Sequence, residues 1–233
     1  MDRSSKYLLT PLVLALFLFT SIDSFARDNN ARVRAVHASP DAPVVDILVN
    51  DNPAFTEVAF GDISPYASVP ANVYNVKVVP TGAGPGSAVI DADVNLFFNT
   101  DYTVVAVNTL ANIEPLVLED DNGWVWGRKA RVRFVHASPD APAVDIRAVD
   151  GPFLFQDIEF KGVGDYVTVP AGTYDLEVQI AGTGDTVLSV PGVTLKRGTT
   201  YTAFAVGLAG GTPALSVLLS VDSSNRSRFS DYK

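Results

Sequence analysis

Residues 31–47 read ARVRAVHASPDAPVVDI, and residues 130–146 read ARVRFVHASPDAPAVDI. Fifteen of the seventeen positions are identical; only Ala35/Phe134 and Val44/Ala143 differ. The two histidines of the chain, His37 and His136, occupy the same place in each copy. Up to the histidine the residues alternate, Val33 then Arg34 and Val36 then His37, which is a strand signal. Ser39-Pro40-Asp41-Ala42-Pro43 cannot stay in a central sheet, because two prolines remove backbone donors and Asp after Pro favours a turn. Residues 44–49 then resume as a strand, so the motif is a strand, a bend and a second strand, present twice.

Outward from the first copy, short β-branched and aromatic runs follow at 55–61, 66–70, 74–79, 88–96, 102–108 and 115–118, separated by turn residues. Such spacing suits an all-β sandwich or barrel. The second unit repeats the order. Tyr66-Ala67-Ser68-Val69-Pro70-Ala71 matches Tyr166-Val167-Thr168-Val169-Pro170-Ala171, Tyr74 matches Tyr174, and Asp101-Tyr102-Thr103 matches Thr200-Tyr201-Thr202. The offset stays at 99 or 100 residues, so indels fall in loops and a whole fold is duplicated. The expected organisation is two beads rather than a continuous array: a first β-sandwich at 31–118, a linker at 119–129, a second β-sandwich at 130–221 and a flexible polar tail at 222–233. Gly-rich segments at 81–86 and 181–185 lack the Lys-Ser/Thr of a phosphate loop and read as hairpin connections.

Residues 1–26 have the pattern of a cleaved signal peptide. Arg3 and Lys6 precede an apolar run at 8–20, and Ser24-Phe25-Ala26 is a small-x-small cleavage site. The run is shorter than the roughly 20 residues a membrane-spanning helix needs, and the mature chain carries no later candidate. Export to the periplasm, the cell surface or the exterior is therefore expected. The chain has no cysteine, which removes disulfides, thiolate metal sites and a cysteine nucleophile. Its net charge of −9 disfavours nucleic acid and anionic lipid.

Three groups of residues invite chemistry. His37, Ser39 and Asp41, like His136, Ser138 and Asp140, follow each other at spacings of two. Residues two apart on a strand lie about 6.6 Å apart, beyond hydrogen-bond reach, and no oxyanion donors are evident, so a hydrolase is the weaker reading. A metal site from His37, Asp41 and Asp46 lacks a second histidine in its unit. The expectation is structural: the histidine ends a strand and bonds backbone, while Ser39 and Asp41 cap the turn. Asp46 and its counterpart Asp145 lie within apolar strands; Asp46 is expected to point outward or to pair with Arg32 or Arg34. Asp91-Ala92-Asp93 and Glu119-Asp120-Asp121-Asn122 lack calcium-loop spacing and read as solvated loops. Trp124 and Trp126 share a face of an extended linker. They are expected to pack between the two units, with a glycan or peptide platform as the alternative. Asn225-Arg226-Ser227 is a glycosylation sequon of little weight.

At the repeated motif the chain resembles an uncharacterised bacterial family, domain of unknown function 4397. The resemblance is carried by Arg32-Val33-Arg34, the residues from His37 to Pro43, Val45-Asp46, Pro70-Ala71 and Tyr74. In the second copy it is carried by Arg131-Val132-Arg133, the residues from His136 to Pro142, Val144-Asp145 and Pro170-Ala171-Gly172-Thr173-Tyr174. The first copy departs at Asn72-Val73, which bears on the turn there. The resemblance implies exported, β-rich envelope proteins with no established activity, and the Pro-Ala-Gly-Thr-Tyr piece is similar to immunoglobulin-like and transthyretin-like modules. The expected protein is a non-enzymatic spacer or binding module without cofactor, whose partner is an envelope protein or a glycan. A carbohydrate-binding or adhesive module is the alternative.

Overall fold

The computed structural model of the chain describes residues 29–225; the signal-peptide reading of residues 1–26 lies outside them. The first repeat holds eight strands: β1 (Asn30–His37), β2 (Val45–Val49), β3 (Asn52–Val58), β4 (Ala67–Pro70), β5 (Asn72–Pro80), β6 (Ile90–Leu96), β7 (Asp101–Val107) and β8 (Glu114–Asp120). The second repeats them as β9 (Lys129–His136), β10 (Val144–Ala148), β11 (Phe153–Ile158), β12 (Val167–Pro170), β13 (Gly172–Ile180), β14 (Thr186–Leu195), β15 (Thr199–Val206) and β16 (Ser216–Ser224). Each repeat is a sandwich of two four-stranded sheets. One has the order β4-β1-β7-β8, with β1 and β7 parallel, and the other β3-β2-β5-β6; the second repeat matches with β12-β9-β15-β16 and β11-β10-β13-β14.

The bend in the repeated motif carries the chain from one sheet to the other, since β1 and β2 lie in different sheets. The Gly-rich segments connect the antiparallel hairpins β5–β6 and β13–β14, as expected. A tight turn at Asn50-Asp51, both at positive φ (49° and 63°), joins β2 to β3; this is the backbone that two-residue hairpins require. Tyr74 and Tyr174 each donate back to a carbonyl four residues upstream, at Pro70 (2.8 Å) and Pro170 (2.5 Å). The Asn72-Val73 departure therefore leaves that corner intact.

Alternation along β1 has two destinations. Ala31 and Val33 enter the core of their own sandwich, whereas Val36 enters a cluster drawn from both repeats: Val36, Val105, Val107 and Leu118 with Val135, Phe204 and Val206. The sheets containing β1 and β9 thus pack face to face, and the two sandwiches together are four sheets deep. Charged residues sit inside this seam. Arg34 is 2 % exposed and donates to Thr103 Oγ1 (2.8 Å), Asp222 Oδ1 (2.5 Å) and Ser220 Oγ. Arg133 is 3 % exposed and donates to Thr202 Oγ1 (3.1 Å), the Glu119 carbonyl (2.9 Å) and Asp120 Oδ1. The threonines close the circuit, Thr103 donating to Asp120 and Thr202 to Asp222, both at 2.6 Å. Each arginine therefore pairs with the carboxylate of the other repeat.

The faces of Tyr66 and Tyr166 cover these arginines at 4.7 and 4.8 Å, and Tyr66 also donates to Asp120 at 2.6 Å. Burial pushes both phenols far above their usual range. It also raises the Asp222 carboxyl, with the contacts to Arg34 and Thr202 working against it.

Two expectations fail here. Asp120 was placed in a solvated linker and Asp222 in the tail, yet both complete strands and are buried. Each has a guanidinium partner, which removes the usual reason for a carboxylate to seek water. Of the two alternatives for Asp46 the outward one holds: its carboxylate lies at the surface, while Arg32 pairs with Asp101 and Arg34 with Asp222.

The Ala35/Phe134 difference has a packing consequence. Phe134 fills the second core, its ring 5.9 Å from that of Phe155. Around Ala35 the first core keeps an apolar cavity of about 60 Å³, lined by Val45, Ile47, Phe55, Val78 and Ala106 among others. At about 24 cal/mol per Å³, a void of that size costs about 1.4 kcal/mol. Ala35→Val is accordingly expected to raise stability by about 1 kcal/mol in urea unfolding, whereas Phe134→Ala should lower it by about 3–5 kcal/mol. Breaking the seam by Asp222→Ala strands a buried guanidinium and should cost about 3–5 kcal/mol. In a double-mutant cycle, Arg34→Met with Asp222→Leu should cost well under the sum of the two single changes.

Candidate functional site

The repeated histidines are the first place to look for chemistry, and both rings are buried, at 1 % and 0 % exposure. His37 Nε2 lies 3.1 Å from the Pro43 carbonyl, while Nδ1 accepts the backbone N–H of Ser39 at 3.3 Å. His136 repeats this with Pro142 (3.0 Å) and Ser138 (3.3 Å). Each ring edge meets a phenylalanine, Phe60 or Phe160, with centroids 6.4 Å apart. These partners define a neutral imidazole with the proton on Nε2, a clasp that closes the bend between the two sheets. It reaches Ser39 through that residue's backbone, not its hydroxyl.

The expected local caps from Ser39 and Asp41 do not form: the Ser39 hydroxyl is buried without a partner among the described residues, and Asp41, like Asp140, holds backbone of a distant loop. Asp41 accepts the N–H of Leu110 at 2.6 Å, and Asp140 accepts those of Ala209 (2.7 Å) and Gly210 (3.1 Å). Both carboxylates thereby tie the bend to the loop before the last strand of their repeat. Asp46 accepts the N–H groups of Glu57 (2.8 Å) and Gly82 (3.1 Å), and these bonds hold its carboxyl below the usual range. Glu57 sits at φ 56° beside a register shift between β2 and β3, so Asp46 braces a bulge. Asp145 does the same for Asp157, at 2.7 Å and φ 53°.

Burial pushes both imidazoles below their ordinary 6.5, against the opposing effect of the proline carbonyls. The unfolded chain then binds more protons than the folded one once pH drops through about 6.5, so stability is complete above that value and declines below it. The melting temperature is expected to fall between pH 7 and pH 5, well above the carboxylate range. A His37→Gln/His136→Gln variant, less stable at pH 7, should lose most of that slope in a pH series of thermal melts.

The tryptophans are not packed between the repeats. Trp124 is 36 % and Trp126 77 % exposed, and their rings meet at 5.6 Å with an interplanar angle of 52°. The seam is filled by sheet residues, which leaves the linker at the edge of the second sandwich. Val125 between them is buried and pinned from both sides by the Asn225 side chain, which donates to its carbonyl (2.8 Å) and accepts its N–H (3.3 Å). The sequon asparagine thus anchors the linker. An open groove runs beside the pair, bordered by Trp124, Trp126, Arg128, Lys196, Arg197 and Tyr201. Sequence reading found the tryptophans but not the cations; Arg128 stands 68 residues from Lys196 in the chain, and their segments meet through backbone, where the Gly198 N–H donates to the Lys129 carbonyl at 2.8 Å.

A profile of the family described as "Domain of unknown function (DUF4397)" matches residues 31–147 and again residues 131–230. The chain belongs to this family, as two tandem members of it. No curated protein matches it. Among solved structures it is similar to the C-terminal domain of AlgF from P. aeruginosa, with 19 % identity and a TM-score of 0.32 over 41 % of this chain and 99 % of that one. It is also similar to a family CBM26 module of Eubacterium rectale Amy13K, solved in complex with maltoheptaose, with 8 % identity and a TM-score of 0.25 over 84 % and 98 % of the two chains. A putative adhesin from Bacteroides ovatus matches with 10 % identity and a TM-score of 0.24 over 83 % and 93 %. Among the described residues no helix is long and apolar enough to cross a membrane, and no group of three or more His, Asp or Glu side chains is placed to hold a metal ion.

Proposed function

We propose that this chain is an exported, non-enzymatic binding module of the cell envelope or extracellular space, which presents a glycan-binding groove at the edge of its second repeat. The observation that carries the reading is Trp126, a residue 77 % exposed beside an open groove. A large aromatic face left in water is costly unless something covers it, and a sugar ring presents the flat C–H surface that suits an indole. Export is supported by the pattern of residues 1–26. The absence of catalysis is supported by the histidine clasps, which commit both ring nitrogens to backbone partners. The packed seam suits a rigid spacer that holds such a groove at a fixed distance from its attachment.

Affinity electrophoresis of residues 27–233 through gels containing different polysaccharides tests this. At least one polysaccharide should retard the protein, and Trp126→Ala should weaken that retardation about tenfold, or about 1.4 kcal/mol, at an unchanged melting temperature. Retardation by none of them would remove the glycan reading.

A further inference from the structure

The groove also carries charge that the fold does not require. Eleven lysines and arginines fall among the described residues, and six of them, Arg32, Arg34, Lys77, Arg131, Arg133 and Lys161, have a carboxylate within 4.0 Å. Arg147 is held by the carbonyls of Ala148 and Gly151. The remaining four, Arg128, Lys129, Lys196 and Arg197, are all exposed and lie at the entry to β9 and in the β14–β15 connection, tied together by the Gly198–Lys129 backbone bond. Three of them border the groove beside Trp126, and among the described residues no Asp or Glu does so. In a chain of net charge −9, this is a local positive field that no carboxylate of the described residues pairs with.

The first repeat shows that the backbone does not demand these side chains. Its equivalent turns make the same bonds. Ala71 donates to the Asn29 carbonyl as Ala171 does to that of Arg128, both at 2.9 Å, and Asn99 donates to Asn30 as Gly198 does to Lys129, both at 2.8 Å. Tyr102 accepts the Phe97 N–H at 3.2 Å, as Tyr201 accepts that of Lys196 at 2.9 Å. Asn29, Asn30, Phe97 and Phe98 thus stand where the second repeat has its four cations. One scaffold carries two different surfaces, and only the second joins cations to an exposed indole.

We infer that the groove takes an acidic polysaccharide. This rests on the glycan reading above and names its ligand class. The indole stacks on a sugar ring, while Arg128, Lys196 and Arg197 donate to carboxylate or sulfate groups along the chain. The excess negative charge elsewhere on the surface repels any polyanion, which confines the contact to this groove.

The test uses residues 27–233 and two matched pairs of polymers: polygalacturonate with its methyl ester, and dextran sulfate with dextran. Retardation by one or both acidic polymers, at least tenfold stronger than by the neutral mate and weakened by raising salt from 0.05 to 0.5 M, is the expected result. Whether carboxylate, sulfate or both serve is read from the two pairs. Lys196→Ala/Arg197→Ala, exposed turn substitutions, should abolish the preference at an unchanged melting temperature, and Lys196→Glu should do so more strongly. Equal retardation by charged and neutral mates would overturn the inference and leave the glycan reading standing. Acid-selective binding that survives these substitutions would place the site elsewhere and overturn it as well. Retardation that appears only after residues 226–233 are deleted would assign the groove to the chain's own end and overturn it. Retardation by no polymer would take both readings down.

Discussion

Six side chains form a closed circuit at the middle of the molecule: Arg34, Thr103, Asp120, Arg133, Thr202 and Asp222. Two cations and two anions leave it neutral, and each arginine reaches across to the repeat that does not contain it. Such a circuit is demanding. Charges moved out of water are tolerated only when all of them find partners, and here the partners come from six strands of two repeats. An apolar seam alone would accept several relative orientations of two flat sheets. The circuit accepts one.

The duplication is therefore more than a string of two units. The arginine and threonine recur at a spacing of 99 residues and the aspartate at 102, so each copy contributes the same three groups and receives the same three in return. This is the self-complementary geometry of a symmetric dimer, written into one chain. The seam holds the two copies alike. Away from it they have diverged: a cavity at Ala35 against a filled core at Phe134, and Phe97-Phe98 against Lys196-Arg197 on the same turn. A fixed scaffold with differing edges suits a protein whose task is to display a surface.

The strands, the hairpins, the bend at HASPDAP and the bonding of its histidines to backbone are legible in the sequence, because alternation, prolines and turn residues act locally. The seam is not. In Ala31-Arg32-Val33-Arg34 the period of two says that the arginines face away from their own core, but it cannot say whether water or another sheet lies beyond. Asp120 sits in an acidic run that composition assigns to solvent, and its partner Arg133 belongs to the next repeat. Trp124 and Trp126 looked like seam residues because they lie between the repeats in sequence. The seam lies between the sheets, and the linker skirts its edge. The groove cations were hidden for a similar reason, since Arg128 and Lys196 meet only after β9, β14 and β15 are in place.

The most direct test of the account is scanning calorimetry of residues 27–233 at neutral pH. If the buried circuit makes one body of two repeats, the chain unfolds in a single transition whose calorimetric and van't Hoff enthalpies agree. Two resolved transitions, one for each repeat, would contradict it.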